Sequence, residues 1–324
     1  MLYRNLPKTD LNVSRLCLGA MYFGWREPEE QSIRRLDAFT FAGGNFIDTA
    51  NIYAEHHLGD KDYFGRDFAS YRDGGSERLI GAWMANKRNR SQLFIATKMG
   101  FPYPGVPYGT SPKAIREECE KSLRRLKTDY VDLYYLHTDD KNAEREEVLY
   151  QLSLLIKEGK IRYIGASNFT SERFEEVNAI AEREGLPSFV CIQQRHSYLR
   201  PKPEANFGGQ VASDRALIDY VEREGLTLLA YSPLLSGYYN NRQKRLSANY
   251  QWEDTDRRLA TLDAVSREIG KTPVQVVLAW MLAHNVLPLT AASNDKQLDE
   301  LLEAESLVLC DEHLARLDRA GVAD

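Results

Sequence analysis

The chain is poor in every feature that would place it outside the cell, in a membrane or on a nucleic acid. It has only four cysteines, Cys17, Cys119, Cys191 and Cys310. They are far apart, without a CxxC pair, and sit among apolar or helical neighbours, so buried free thiols and a reducing compartment are expected. No stretch approaches the roughly 18 apolar residues of a membrane span, and Met1-Leu-Tyr-Arg-Asn-Leu-Pro-Lys8 lacks the apolar core of a secretion signal. A cytoplasmic protein with no membrane partner is expected. Positive charge is not in excess either: 42 Lys and Arg against 47 Asp and Glu leave a net charge of -5, which gives no general pull toward nucleic acid. Common chemical fingerprints are missing as well. No GxGxxG follows a strand, Gly270-Lys271-Thr272 has Val265 where a P-loop needs its first glycine, and no GxSxG or HExxH occurs. His56 and His57, with Asp60 and Asp62 nearby, are adjacent loop histidines that do not readily turn both rings to one ion, so no metal is expected.

What the chain does have is a regular alternation. An apolar content of 43% and a charged content of 27% fit a globular protein with a sizeable core, and 324 residues suit one α/β barrel with loop insertions, read as a single catalytic domain over 1–324. Short β-branched runs alternate with longer amphipathic stretches, as in repeated βα units. Eight strands are expected near Leu16–Gly19, Asn45–Thr49, Leu93–Lys98, Tyr130–His137, Ile161–Ser167, Phe189–Gln194, Thr227–Tyr231 and Val286–Thr290. Helix starts are signalled at Pro28, Ser76, Ser111-Pro112, Ser171, Ser213-Asp214 and Thr272-Pro273, and helix ends at Gly159, Gly185, Gly225 and Gly270. The spacing predicts a (β/α)8 TIM barrel. Residues 3–15 read as an N-terminal β-hairpin closing its floor, and 311–320 as an extra C-terminal helix. The long segments 55–75, 99–111 and 195–212 fall on the side where such barrels place their sites, and are assigned to a substrate mouth.

Asp48, Lys98 and His137 each end or follow a predicted strand, and Tyr53 comes five residues after Asp48. Each has an ordinary structural explanation alone: a turn carboxylate, a solvated strand-end lysine, a satisfied histidine, one of 18 tyrosines. Their convergence on one end of one barrel is what points to chemistry. A tyrosine hydroxyl titrates near pH 10, so it serves as a general acid near neutrality only if a neighbouring cation stabilises its phenolate. Lys98 can be that cation, Asp48 can balance Lys98, and His137 adds a hydrogen-bonding group for a carbonyl oxygen.

Gly44-Asn-Phe-Ile-Asp-Thr-Ala-Asn-Ile-Tyr53 closely resembles the signature of the aldo-keto reductases, and the likeness continues through Gly74-Gly-Ser-Glu-Arg-Leu-Ile-Gly81, Ile164-Gly-Ala-Ser-Asn168, the strand holding Gln193, and Leu229-Ala-Tyr-Ser-Pro-Leu-Leu-Ser-Gly237. The resemblance implies an NAD(P)H-dependent reduction of an aldehyde or ketone, with Tyr53 as general acid, Lys98 and Asp48 as its tuning partners, and His137 orienting the carbonyl. It implies a nicotinamide stacked on Tyr231, with its carboxamide held by Ser167, Asn168 and Gln193. By the same resemblance the cofactor also meets Gly19, Ala20, Met21 and Asp48, then Ser232, Pro233, Leu234, Ser236 and Gly237, and finally Ala291, Ser293, Gln297 and Leu301.

At the adenosine end the chain departs from relatives that prefer the phosphorylated cofactor, because Ala291 and Gln297 stand where a lysine or arginine is common. Ser293, Asn294 and Lys296 can still meet a 2′-phosphate at a helix N-terminus. NADPH is expected, with NADH possible. The substrate is a small-molecule carbonyl: Trp25, Tyr53 and His137 are its expected contacts, and Tyr22, Tyr103 and Tyr108 can line an aromatic mouth. Arg26, Arg66, Arg200 and Lys202 would suit a sugar-like or otherwise polar carbonyl. Two other classes stay open at this point, a cofactor-binding sensor barrel and a non-redox lyase or isomerase using Tyr53 and Lys98. Oligomeric state stays open too.

Overall fold

The computed structural model describes residues 1–53, 74–103 and 105–321. Two short strands, β1 (Tyr3–Asn5) and β2 (Asn12–Ser14), pair antiparallel. Eight parallel strands then close into a barrel: β3 (Cys17–Gly19), β4 (Phe46–Asp48), β5 (Phe94–Met99), β6 (Val131–Leu136), β7 (Ile161–Ser167), β8 (Cys191–Arg195), β9 (Thr227–Tyr231) and β10 (Leu287–Thr290), which pairs back with β3. Around it run α1 (Glu29–Phe41), α2 (Gly75–Lys87), α3 (Pro112–Leu126), α4 (Arg145–Lys157), α5 (Ser171–Glu184), α6 (Arg215–Arg223), α7 (Glu253–Ile269), α8 (Pro273–Ala283), α9 (Asp295–Ala304) and α10 (Asp311–Asp318). The expected (β/α)8 barrel, N-terminal hairpin and C-terminal helix are all present. The helix α7, which ends at Gly270 just before the Thr272 cap of α8 as the sequence signals indicate, packs with α10 on the outside.

Every residue of β5 and β6 is buried, because one face looks into the barrel and the other lies under helices. That two-sided burial is why the strands read as continuous apolar runs and not as alternating ones. Alternation survives in which core each residue joins. Phe46, Ala96, Leu133, Tyr135, Cys191, Leu229 and Leu287 form the inner core, together with Leu6, Leu11 and Val13 of the hairpin. The hairpin therefore plugs the floor. Its polar ties agree: Asn45 Oδ1 accepts from Ser14 N at 2.7 Å, Arg4 Nη1 donates to Asn285 O at 2.9 Å, and Arg162 and Tyr163 both bond Asp10 at 2.9 Å. Those partners all lie at or just before the beginnings of barrel strands.

Several boundaries moved for identifiable reasons. The strand expected from Phe189 begins at Cys191, since Phe189 packs in the helix-side core, its ring 5.9 Å from those of Phe174 and Phe169. Ser76 does not cap α2: its hydroxyl bonds Thr49 Oγ1 and Ala20 O, both at 2.8 Å, and Gly74, in a left-handed conformation, takes the cap position. The α5 cap is Thr170, whose side chain accepts from Arg173 N, and Ser171 lies one residue inside.

Helices α2 and α3 meet at Gly81, where a Cβ would come within 2.3 Å of Arg125 O and 2.6 Å of Leu126 C. Backbone cannot swing away as a side chain can. Gly81→Ala is therefore expected to lower stability by about 1–3 kcal/mol, as overpacking in a filled contact does. Urea unfolding followed by circular dichroism checks this, and an unshifted midpoint would show that the two helices separate freely.

Candidate active site

Strand alternation gathers the site. Gly19 shares the parity of Cys17, Asp48 that of Phe46, Lys98 that of Ala96, Gln193 that of Cys191 and Tyr231 that of Leu229, and each of these lower residues belongs to the inner core. His137 continues the parity of Leu133 and Tyr135, and Ser167 that of Tyr163. Each is thus the inward residue at the upper end of its strand, the end opposite the hairpin.

At the centre of that layer Lys98 and Asp48 are completely buried and paired. Lys98 Nζ also donates to Thr49 O at 2.8 Å and to the Tyr53 hydroxyl at 3.2 Å, and it stands 4.7 Å from the Tyr53 ring centroid. Gln193 Nε2 donates to Asp48 Oδ2 at 2.9 Å, so the carboxylate is held by an amine on one oxygen and an amide on the other. The His137 ring lies edge-on to Tyr53 at 5.9 Å and to Phe101 at 4.8 Å. The four residues predicted to act together do come together.

Burial sets the electrostatics. It pushes the Tyr53 hydroxyl above its ordinary value, Lys98 pulls it down and Asp48 raises it again, and the net direction is up. Tyr53 accordingly keeps its proton at neutral pH. Burial would depress Lys98, but Asp48 and Tyr53 together hold it above the ordinary lysine range. Asp48 is raised by burial, with Lys98 opposing. The cation expected to make Tyr53 more acidic is in place, and desolvation outweighs it.

Around this centre three of the expected nicotinamide residues, Ser167, Asn168 and Tyr231, form one network, and the fourth, Gln193, is held by Asp48. Asn168, at φ 61°, donates through Nδ2 to His137 O at 2.8 Å and Ser167 Oγ at 3.2 Å, and accepts at Oδ1 from the Tyr231 hydroxyl at 2.7 Å and Val211 N at 3.1 Å. Ser167, Asn168 and Gln193 are buried, and Tyr231 is half-buried at the rim. Three amide or hydroxyl groups beside a flat ring is the donor set that a nicotinamide carboxamide requires, so the residues fit that group.

The loop after β9 has left-handed backbone at Ser232, Leu235, Ser236 and Gly237 (φ 55°, 47°, 59° and 82°). Leu235 N and Gly237 N donate to Ser232 O at 3.2 Å and to Leu234 O at 2.8 Å, so the loop is a run of tight turns. Lys244 Nζ donates to Ser236 O at 2.6 Å, which puts a cation beside it. At the start of α9, Ser293 N donates to Gln297 Oε1 at 2.8 Å and Gln297 N to Asn294 Oδ1 at 2.9 Å. Arg35 reaches in from α1, pairing with Asp295 and donating to Ala292 O. Ala291, Ser293 and Met21 are exposed, whereas Leu301 is packed in the helix-side core at 3% exposure and offers little surface to a ligand.

In the mouth, Trp25 stands 6.0 Å from Tyr22, and Arg26 lies 4.5 Å from the Tyr22 ring centroid. The Tyr103 hydroxyl donates to Glu118 at 2.6 Å and that of Tyr108 to Asp139 O at 2.8 Å, while Lys202 pairs with Glu204 and the Arg200 carbonyl accepts from Trp252 Nε1. Arg66, His56, His57, Asp60 and Asp62 lie outside the described residues. Among those described, no three His, Cys, Asp or Glu side chains gather as a metal site. Sequence reasoning missed Phe101, Arg195 and Lys244. Phe101 follows β5 by two residues and was findable from its place just past a strand end, but Lys244, eight residues beyond the Ser236 it touches, carried no signal.

Comparison with known proteins gives a consistent result. The model of the Aldo/keto reductase family matches residues 15–321. An aryl-alcohol dehydrogenase of Pestalotiopsis microspora is 30% identical, covering 97% of this chain and 80% of the relative. An uncharacterized oxidoreductase of Bacillus subtilis is 30% identical, covering 98% and 95%, and norsolorinic acid reductase A of Aspergillus parasiticus is 29% identical over 98% and 80%. Among solved structures, a thermostable aldo-keto reductase crystallised with the inhibitor epalrestat superposes with a TM-score of 0.74 at 28% identity, covering 98% of this chain and 99% of that one.

Proposed function

The chain belongs to the aldo/keto reductase family and is an NAD(P)H-dependent reductase of carbonyl compounds, and we propose that Tyr53 is the general acid of that reaction. The observation that carries the assignment is Lys98 Nζ, which binds the Tyr53 hydroxyl on one side and Asp48 on the other at the closed end of the barrel mouth. When bound, a nicotinamide cofactor would supply the hydride for the carbonyl carbon. Everything else falls to the chain. Tyr53 donates its proton to the carbonyl oxygen as negative charge develops there, and Lys98, 3.2 Å away, stabilises the phenolate left behind. Asp48 keeps Lys98 protonated, and His137 fixes the direction of the carbonyl. Tyr231, Ser167, Asn168 and Gln193 would hold a nicotinamide against rotation, so that it would offer one face to the carbonyl. The loop from Ser232 to Gly237, with Lys244, is assigned to the cofactor's diphosphate.

For the substrate we favour an aryl aldehyde or ketone. Tyr22, Trp25 and Phe101 give the mouth flat apolar walls, and among the relatives are an aryl-alcohol dehydrogenase and a norsolorinic acid reductase. A polar, sugar-like carbonyl is the second reading, favoured by Arg26 at the same rim. The four free cysteines, of which Cys17, Cys119 and Cys191 are buried, support a cytoplasmic setting. Following the nicotinamide absorbance band with aryl and sugar aldehydes and both cofactors tests this reading. Turnover with neither class would overturn both substrate readings and point to a carbonyl of another kind.

Cofactor choice is assigned to the Ser293–Gln297 segment, with NADPH preferred modestly because Lys296 replaces the usual pair of cations. One charge-assisted phosphate contact is worth about 1.5–3 kcal/mol, or roughly ten- to a hundredfold in affinity, and Gln297→Arg should widen the preference. Separate titrations with NADPH and NADH by fluorescence quenching decide it: tighter NADH binding in wild type, or no gain for NADPH in the variant, would place the 2′-phosphate elsewhere.

A further inference from the structure

Arg195 is the next inward residue after Gln193 on β8, and it stands beside Tyr231 across the β8–β9 register. Its guanidinium carbon is 5.5 Å from the Tyr231 ring centroid and 4.5 Å from that of Phe207, and Nη2 donates to Gln210 Oε1. Its Nε is buried without a hydrogen-bond partner. The hydroxyls of Tyr231 and Tyr250, both raised by burial, are pulled back down by this same charge. All of these neighbours are neutral. Lys98 at the centre of the site is matched by Asp48, but among the described residues no carboxylate pairs with Arg195. A positive charge with no carboxylate partner among the described residues thus lies against the ring assigned above to the nicotinamide, in half-buried surroundings.

We infer that Arg195 makes the site discriminate by charge between the two redox forms of the cofactor, holding the reduced form in preference to the oxidised one. The inference rests on Tyr231 being the stacking ring. A reduced nicotinamide is neutral and an oxidised one carries a positive charge, so a cation beside the stacking ring repels only the oxidised form. The phosphates, riboses and adenine are the same in both. Whatever Arg195 does to them cancels in the ratio of the two affinities. Two unit charges roughly 10 Å apart, at the effective dielectric of about 20 that suits protein sites, change a binding constant by about tenfold. The functional consequence is directional: oxidised cofactor leaves readily after each turnover, and reduction runs with less product inhibition than the reverse reaction.

The experiment measures the dissociation constants of NADPH and NADP+ by fluorescence quenching in wild type, Arg195→Gln, Arg195→Lys and Tyr231→Leu. In Arg195→Gln the ratio of the NADP+ constant to the NADPH constant should fall by about tenfold, while Arg195→Lys, which keeps the charge, should stay within about threefold of wild type. An unchanged ratio in Arg195→Gln, or an equal fall in Arg195→Lys, overturns the inference. Tyr231→Leu separates the two claims. If it weakens both forms while the Arg195→Gln ratio is unchanged, only the role of Arg195 fails. If it leaves both affinities as in wild type, the stacking assignment fails and the inference falls with it.

Discussion

Tyr53→Phe is expected to lose at least about a hundredfold in kcat for carbonyl reduction while binding NADPH within about twofold of wild type, because it deletes the transferable proton and keeps the ring. The Tyr53 ring also packs edge-on to His137 and beneath the Lys98 ammonium, and phenylalanine preserves both contacts. Folding is therefore not at issue in this variant. Single-turnover reduction with saturating NADPH isolates the chemical step, and most of the wild-type rate surviving there would remove Tyr53 from the mechanism.

Lys98→Met is expected to have the second-largest effect, and it carries a sign. Reduction needs Tyr53 protonated, so its rate falls as pH rises through the Tyr53 pKa. Lys98 pulls that value down against burial and Asp48, so removing Lys98 lets it climb further. The alkaline limb of the reduction profile should shift to higher pH, and kcat should drop by roughly 10²–10⁴, because a weaker acid gives a less stable phenolate. The reverse reaction, which needs the phenolate, should demand higher pH than in wild type. Asp48 would be left buried with Gln193 as its remaining partner, and Lys98→Met/Asp48→Asn removes that burden. Should both variants keep the wild-type profile, Lys98 is a structural residue and the acid must be sought elsewhere.

The barrel was legible in the sequence because two-sided burial writes long apolar runs separated by capped helices, a pattern with few other solutions. Register followed from it: once Asp48, Lys98, Gln193 and Tyr231 are placed at strand ends, period-two alternation decides that all point inward. What the sequence hid depends on contacts between distant segments. Ser76 reads as a cap but is drawn inward by Thr49 and Ala20. Arg195 reads as an ordinary strand-end cation, and only the fold reveals that Phe207, Gln210 and Tyr250 surround it with no carboxylate among them. The direction of the Tyr53 shift was equally out of reach, since it balances the cost of desolvation against Lys98 and that balance is fixed by burial depth. Leu301 shows the opposite limit, a position carried over by resemblance that the helix-side core has taken up.

The plugged floor has a practical side. The hairpin places Met1 at the end of the barrel away from Tyr53, anchored by Arg4 to Asn285 and by Asp10 to Arg162. A tether attached at the amino terminus would hang from beneath, and a molecule fixed to a surface through it would turn its open mouth toward the solution. Immobilised that way, the catalyst would stand with its entrance unobstructed.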